Sequence, residues 1–148
     1  MSVDVLTTID IDCPIAKVAE FAGNPSNASQ WYVHIKSVEW AGEPQIAEGA
    51  RMAFVAQFLG RRLAYTYEIV ELVPGRTLVM RTAEGPFPME TTYTWEALDD
   101  GRTRMTLRNR GTPSGFSRLV APFMAGAMRR ANQKDLARLR AICERRPR

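Results

Sequence analysis

Hydrophobic and polar residues alternate along several short stretches of the chain, which is the pattern of half-buried β-strands. The first stretch runs from Val3 to Ile11 and is rich in β-branched residues, which favour strands. Further extended stretches follow after residue 33, separated by turns that contain glycine or proline. They cover 35–42, 50–59, 62–73, 76–83, 87–98 and 103–110. The pattern therefore predicts a meander of about seven antiparallel strands.

Two short helices are predicted between the first and second strands. Asp12-Cys13-Pro14 combines a capping side chain with a proline near a first helical turn, and apolar residues recur at helical spacing as far as Ala22. Asn24-Pro25 begins a second short helical piece, which ends near Trp31.

A long C-terminal helix is predicted from about Ser114 to Ile142, where apolar residues again recur at helical spacing. Pro122 lies inside this stretch and predicts a kink or a restart of the helix. The antiparallel sheet needs one face covered, and only this helix is long enough to cover it. The predicted fold is therefore α+β, of the helix-grip kind: a curved antiparallel sheet of about seven strands wrapped around a long C-terminal helix.

A cavity is expected between sheet and helix, because a curved sheet follows a straight helix closely along only part of its length. Alternation along the strands selects the side chains that face the helix. All methionines except Met1 fall on this inward face or on the apolar side of the helix, and methionine occurs both in cores and in sites for varied apolar ligands. Plain core packing is the competing explanation. The residues predicted to bind a ligand are Met52, Phe54, Tyr65, Tyr67, Met80, Met89, Tyr93, Trp95, Met124, Ala127 and Met128.

Composition agrees with one folded, ligand-binding domain over residues 1–148. The chain is 45% hydrophobic and 24% charged, as globular proteins are. No apolar run approaches the roughly 18 residues of a membrane span, and the acidic start does not resemble a secretion signal. Cys13 and Cys143 lack metal-type spacing. We therefore expect a cytoplasmic protein without disulfides and without stable membrane insertion.

The net charge and the histidine content limit the kinds of ligand and partner that we expect the protein to bind. The net charge of +4 comes from scattered arginines and a basic tail, which differs from a basic patch interleaved with aromatic residues, so no nucleic-acid binding is expected. His34 is the only histidine, which excludes a multi-histidine metal site. We expect no metal and no cofactor, a small hydrophobic ligand as partner, and a monomer or homodimer.

Several local motifs, in this order along nearly the whole chain, resemble the SRPBCC superfamily of START-related proteins, which includes polyketide cyclase/dehydrase-like members. The resemblance implies a deep apolar cavity that binds lipids, hormones, polyketides or quinones, and it implies no single reaction. The motifs are Asp12-Cys13-Pro14, Asn24-Pro25 with Trp31, Val38-Glu39-Trp40 with Gly42, Gly49, Tyr67-Glu68-Ile69-Val70-Glu71 before Pro74, Asp100-Gly101-Arg102-Thr103-Arg104-Met105-Thr106, and Asp135-Leu136 with Leu139.

Two functional classes stay open at the level of sequence. One is a binding or carrier protein for an apolar small molecule. The other is a cyclase or dehydratase that transfers protons through tyrosine, histidine or a buried acid, with Tyr67, Tyr93 and His34 as the candidate catalytic residues. No GxSxG nucleophile motif is present.

Overall fold

A computed structural model describes residues 3–58, 60–84, 88–111 and 121–145. It confirms the predicted α+β helix-grip architecture. The strands are β1 (Val3–Ile11), β2 (Ile35–Trp40), β3 (Arg51–Phe58), β4 (Arg61–Val73), β5 (Thr77–Glu84), β6 (Met89–Asp99) and β7 (Arg102–Gly111). The helices are α1 (Ile15–Ala22), a 3-10 turn (Pro25–Asn27), α2 (Ala28–Trp31) and α3 (Ala121–Arg145).

All seven strands form one antiparallel sheet in the order β1-β7-β6-β5-β4-β3-β2. Neighbours in sequence are neighbours in the sheet from β2 to β7, and β1 adds to the far edge beside β7. Register shifts interrupt the pairing of β2, β4 and β6. Such irregularities bend strands and increase their twist, which helps the sheet curve around α3.

The interior has two parts. The larger part packs α1, α2 and the later half of α3 against the sheet, around fully buried residues that include Trp31, Met105 and Leu139. The smaller part joins the start of α3 to the edge of the sheet through Val5, Met89 and other apolar residues. Between these two packed regions lies the space described below as the cavity.

The outer face of the sheet is charged, as the alternation predicts. Arg104 pairs with Asp10 across 2.8 Å, and Arg108 pairs with Asp4 across 2.7 Å. Arg81 and Arg110 both pair with the carboxylate of Glu90. Exposed ion pairs of this kind contribute little to stability, because water and salt screen them, so their main effect is to keep this face of the sheet solvated.

The bounds of two helices bear on the sequence predictions. Pro14 is the N-cap residue of α1, directly before the first helical turn, as the Asp12-Cys13-Pro14 motif predicts for the proline. α3 is described from Ala121 to Arg145, so Pro122, where a kink or a restart of the helix was predicted, lies at the border of the described residues. The predicted helical residues 114–120 lie outside the described part of the chain.

Phe123 is 76% exposed, although its spacing placed it on the apolar stripe of the long helix.

No helix in the described part of the chain is long and apolar enough to cross a membrane.

Candidate functional site

A cavity of about 160 Å³ lies between α3 and the concave face of the sheet. One ordered water requires about 10–15 Å³ measured in the same way, so the space has room for a small organic molecule. Its wall is mainly apolar and aromatic. The residues that line it are Tyr32, His34, Ile35, Phe54, Ala56, Leu63, Tyr65, Tyr67, Met80, Met89, Thr91, Tyr93, Asn109, Met124, Met128, Ala131, Asn132 and Asp135.

Most of the residues predicted to bind a ligand line this cavity. They are Phe54, Tyr65, Tyr67, Met80, Met89, Tyr93, Met124 and Met128. Among the candidate catalytic residues, Tyr67, Tyr93 and His34 all lie on the wall. The structure therefore brings together predicted ligand contacts from four strands and α3, and these side chains are up to 74 residues apart in sequence, from Phe54 to Met128.

Three predicted ligand contacts do not reach the wall. Met52 and Trp95 are buried in the larger packed region, which also contains residues of α1 and α2, and Ala127 is half-buried on α3. Alternation along a strand shows which face a side chain occupies and leaves open where along the strand the cavity ends. On α3 the wall is formed at Met124 and Met128, and Ala127 is turned to one side of that line.

Tyrosine hydroxyls meet at one end of the cavity. The hydroxyl oxygens of Tyr32 and Tyr93 are 2.6 Å apart and hydrogen-bonded. The Tyr32 ring also packs on Trp31, with ring centroids 4.0 Å apart. Tyr32 follows α2 directly, so the short helix predicted from the sequence carries one member of this pair into the cavity.

Asp135 lies at the same end and is buried, with 2% of its surface exposed. Its Oδ1 accepts a hydrogen bond of 2.8 Å from the backbone N–H of Val33. Burial raises the pKa of the carboxyl to about 6, although the hydrogen bond from Val33 and the charge of Arg138 act in the opposite direction. A carboxyl with a pKa near 6 exchanges a proton readily at neutral pH.

Burial also raises the pKa values of the tyrosines in the cavity, with a consequence that differs from that for Asp135. Burial raises the pKa of Tyr65 to about 12, and burial raises the pKa of Tyr67 and Tyr93 further. The pKa of Tyr32 is also well above its usual value, because the residue is buried and lies close to Tyr93. These hydroxyls therefore stay protonated at neutral pH, so they offer hydrogen bonds to a ligand and do not serve as bases.

Polar side chains also occur on the sheet side of the wall. The Thr91 hydroxyl donates a hydrogen bond of 2.9 Å to Oδ1 of Asn109, and both residues are buried. Tyr67 is hydrogen-bonded to the Thr91 side chain, which partly offsets the effect of burial on its pKa. Buried polar groups of this kind are stable because they satisfy one another.

The predicted ligand contacts omit nine described wall residues other than the candidate His34. Five of them lie on faces that alternation or helical spacing already turned inward: Ala56, Leu63, Thr91, Asn109 and Ala131. The other four were missed altogether: Tyr32, Ile35, Asn132 and Asp135. Asn132 and Asp135 follow Met128 by four and seven residues, which places them on the same helix face. Two polar residues on the apolar stripe of a helix were the sequence feature that could have indicated a polar group in the cavity wall.

A family model described as polyketide cyclase / dehydrase and lipid transport matches residues 2–144. No curated protein matches the chain. Among solved structures, the Zhui aromatase/cyclase from Streptomyces sp. R1128 is similar with a TM-score of 0.85 and 18% identity. The similarity covers 100% of this chain and 97% of that chain.

Two further solved structures are similar. A START superfamily protein from Mycobacterium smegmatis has a TM-score of 0.79 and 10% identity, over 95% of this chain and 97% of that chain. Major latex-like protein 151 from Panax ginseng has a TM-score of 0.73 and 10% identity, over 96% and 97% of the two chains. At these identities the likeness shows a common fold.

Proposed function

The chain belongs to the polyketide cyclase/dehydrase and lipid transport family, and we propose that it binds a small apolar molecule, lipid-, polyketide- or quinone-like, in the cavity between the sheet and α3. The family and the START-related neighbours agree with the resemblance found in the sequence. They support a role in hydrophobic ligand binding or in cyclisation.

The observation that carries this proposal is the unfilled space itself. Protein interiors normally pack as densely as organic crystals, and few of their voids exceed the size of a water molecule. Here about 160 Å³ lies among apolar and aromatic side chains that include Met80, Met89, Met124 and Met128. Flexible, polarisable methionines adapt to apolar ligands of differing shape, so such a wall suits this use.

A titration with an apolar fluorescent probe tests the proposal. We expect the wild-type protein to bind a naphthalene-based probe at one site per chain and to melt at a higher temperature when the probe is present. Ligand at a hundredfold excess over its Kd stabilises the folded state by about 2.7 kcal/mol. Native mass spectrometry of gently purified protein should show a bound small molecule. A protein that takes up neither probe nor native ligand would contradict ligand binding.

A second candidate function is a cyclase or dehydratase reaction in the same cavity. The observation that favours it is the buried Asp135 carboxyl, with its pKa of about 6, beside the hydroxyls of Tyr32 and Tyr93. A carboxylate there would remove a proton from carbon next to a carbonyl group, and neutral tyrosine hydroxyls would stabilise the resulting enolate.

The pH dependence of turnover tests this second function. With a substrate that carries alternating carbonyl groups, the rate should rise through pH 6 if the Asp135 carboxylate is the base. The formation of an aromatic product, followed by absorbance, measures the rate. A protein that binds such a substrate and leaves it unchanged at every pH is a carrier only.

A further inference from the structure

Asn132 is a buried wall residue whose amide nitrogen has no hydrogen-bond partner. Only 5% of the residue surface is exposed, and Nδ2 has no acceptor in the described part of the chain. Three other buried side-chain atoms share this property there, in Thr7, Trp31 and Trp95. Those three residues do not line the cavity, whereas Asn132 does.

An unpaired buried N–H group costs free energy, so such a group normally has an acceptor in the working state of a protein. For Asn132 the cavity is the place from which an acceptor is able to approach. Rotation about the last side-chain bond of asparagine is soft, so the amide can turn its N–H toward a molecule in the cavity without strain.

The polarity of the wall changes along α3 in a way that orients a ligand. Met124 and Met128 form the wall over the early turns of the helix, and Asn132 and Asp135 form it over the later turns. The rise of about 1.5 Å per residue separates Met128 from Asp135 by about 10 Å. A molecule held here meets methionines at one end and hydrogen-bonding groups at the other.

Charge at the polar end is unsuitable for an anion. Asp135 is a carboxyl group in the wall, and among the described residues that line the cavity none is arginine or lysine. A bound carboxylate would lie near Asp135. Arg138, whose charge acts on Asp135, is not among the described wall residues, so an anion would have no lysine or arginine beside it there, which is unfavourable in a buried site.

We propose that Asn132 determines ligand specificity by donating a hydrogen bond from Nδ2 to a carbonyl or hydroxyl oxygen of an uncharged apolar molecule. The apolar body of this molecule lies against Met124 and Met128. This inference rests on the proposed function, because it assumes that the cavity takes up a ligand. It adds the chemical class of that ligand and the residue that selects it.

Three naphthalenes that share one apolar body test the inference: 2-acetylnaphthalene, its hydrocarbon analogue 2-ethylnaphthalene, and 2-naphthoate. Their Kd values are measured by competition with the fluorescent probe. We expect the ketone to bind about tenfold more tightly than the hydrocarbon, which is the typical effect of one hydrogen bond. We expect the carboxylate to bind at least tenfold more weakly than the ketone.

Asn132→Leu keeps the size of the side chain and removes the donor. This variant should lose the roughly tenfold preference for the ketone and keep the affinity for the hydrocarbon. Gln133→Leu, at the exposed neighbouring position of the same helix, is the matched control and should keep the preference. If Asn132→Leu does not fold, the side-chain NH2 resonances of Asn132 in the wild type should shift with the ketone and stay in place with the hydrocarbon.

The outcomes separate the two proposals. Equal binding of ketone and hydrocarbon by the wild type would overturn the role of Asn132 while ligand binding stands. Tighter binding of naphthoate than of the ketone would also overturn it. If none of the three compounds binds, the proposed function itself fails.

Discussion

Replacing Ala131 with tryptophan should abolish binding of an apolar probe and leave the protein folded. Ala131 is buried on α3 and lines the cavity, so a larger side chain at this position points at the unfilled space. An indole would occupy much of the cavity of about 160 Å³. We expect a loss of probe affinity of more than a hundredfold, with a melting temperature equal to or above that of the wild type. Probe titration and thermal unfolding measure the two effects.

Ala127→Trp is the matched control for this experiment. Ala127 lies one turn earlier on α3, is half-buried, and does not line the cavity, so probe binding should survive the change. If the region around Ala131 were densely packed, the Ala131 variant would lose about 1–3 kcal/mol of stability and the wild type would bind no probe. That pair of results would remove the ligand cavity from consideration.

Replacing Asp135 with asparagine should change how stability depends on pH. The carboxyl has a pKa of about 6 in the folded protein and an ordinary value of 3.8. Well below pH 3.8 it is protonated in both the folded and unfolded states. As the pH rises from about 4 to about 6, the carboxyl ionises in the unfolded state while the folded protein still holds the proton, so the wild type loses up to about 3 kcal/mol of stability. Asparagine does not titrate, so the variant should escape this loss.

The measurement is the difference in free energy of unfolding between variant and wild type at pH 4 and at pH 7.5. We expect the difference to move in favour of Asp135→Asn as pH rises. Asp4, Asp10 and Glu90 have lowered pKa values because arginines hydrogen-bond to them, and their contribution is instead lost as pH falls. They are present in both proteins, so their effects cancel in the difference.

Gln133→Asn, at an exposed position of the same helix, changes no titratable group, so it is the control and should give a difference that does not change with pH. Parallel curves for the wild type and Asp135→Asn would show that Asp135 titrates normally, and the second candidate function would lose the observation that favours it.

The prediction of strands and faces from the sequence succeeded because these properties are local. Met89, Tyr93 and Trp95 were placed on one face by alternation, and all three are buried in the structure. Short turns join strands that are neighbours in sequence, and such strands pair with each other, so the meander could also be predicted from the sequence. An antiparallel sheet with one covered face leaves this period-two signature in any sequence.

The cavity depended on contacts that no local pattern encodes. Tyr32 meets Tyr93, and Val33 meets Asp135, only because α2 packs between the sheet and α3. The limits of the cavity depend on where that packing stops, which is why Trp95 belongs to the core and Tyr93 also reaches the wall.

The amino-acid sequence by itself determined the order of the elements, the inward face of each strand and the charged outer surface, because each follows from the spacing of neighbouring residues. Only the tertiary structure decided which inward side chains surround empty space and which pack together. It also decided that Asn132 and Asp135 are buried, because burial depends on distant segments that close over a residue. For the same reason, the raised pKa of Asp135 and the unpaired amide of Asn132 became visible only in the folded protein.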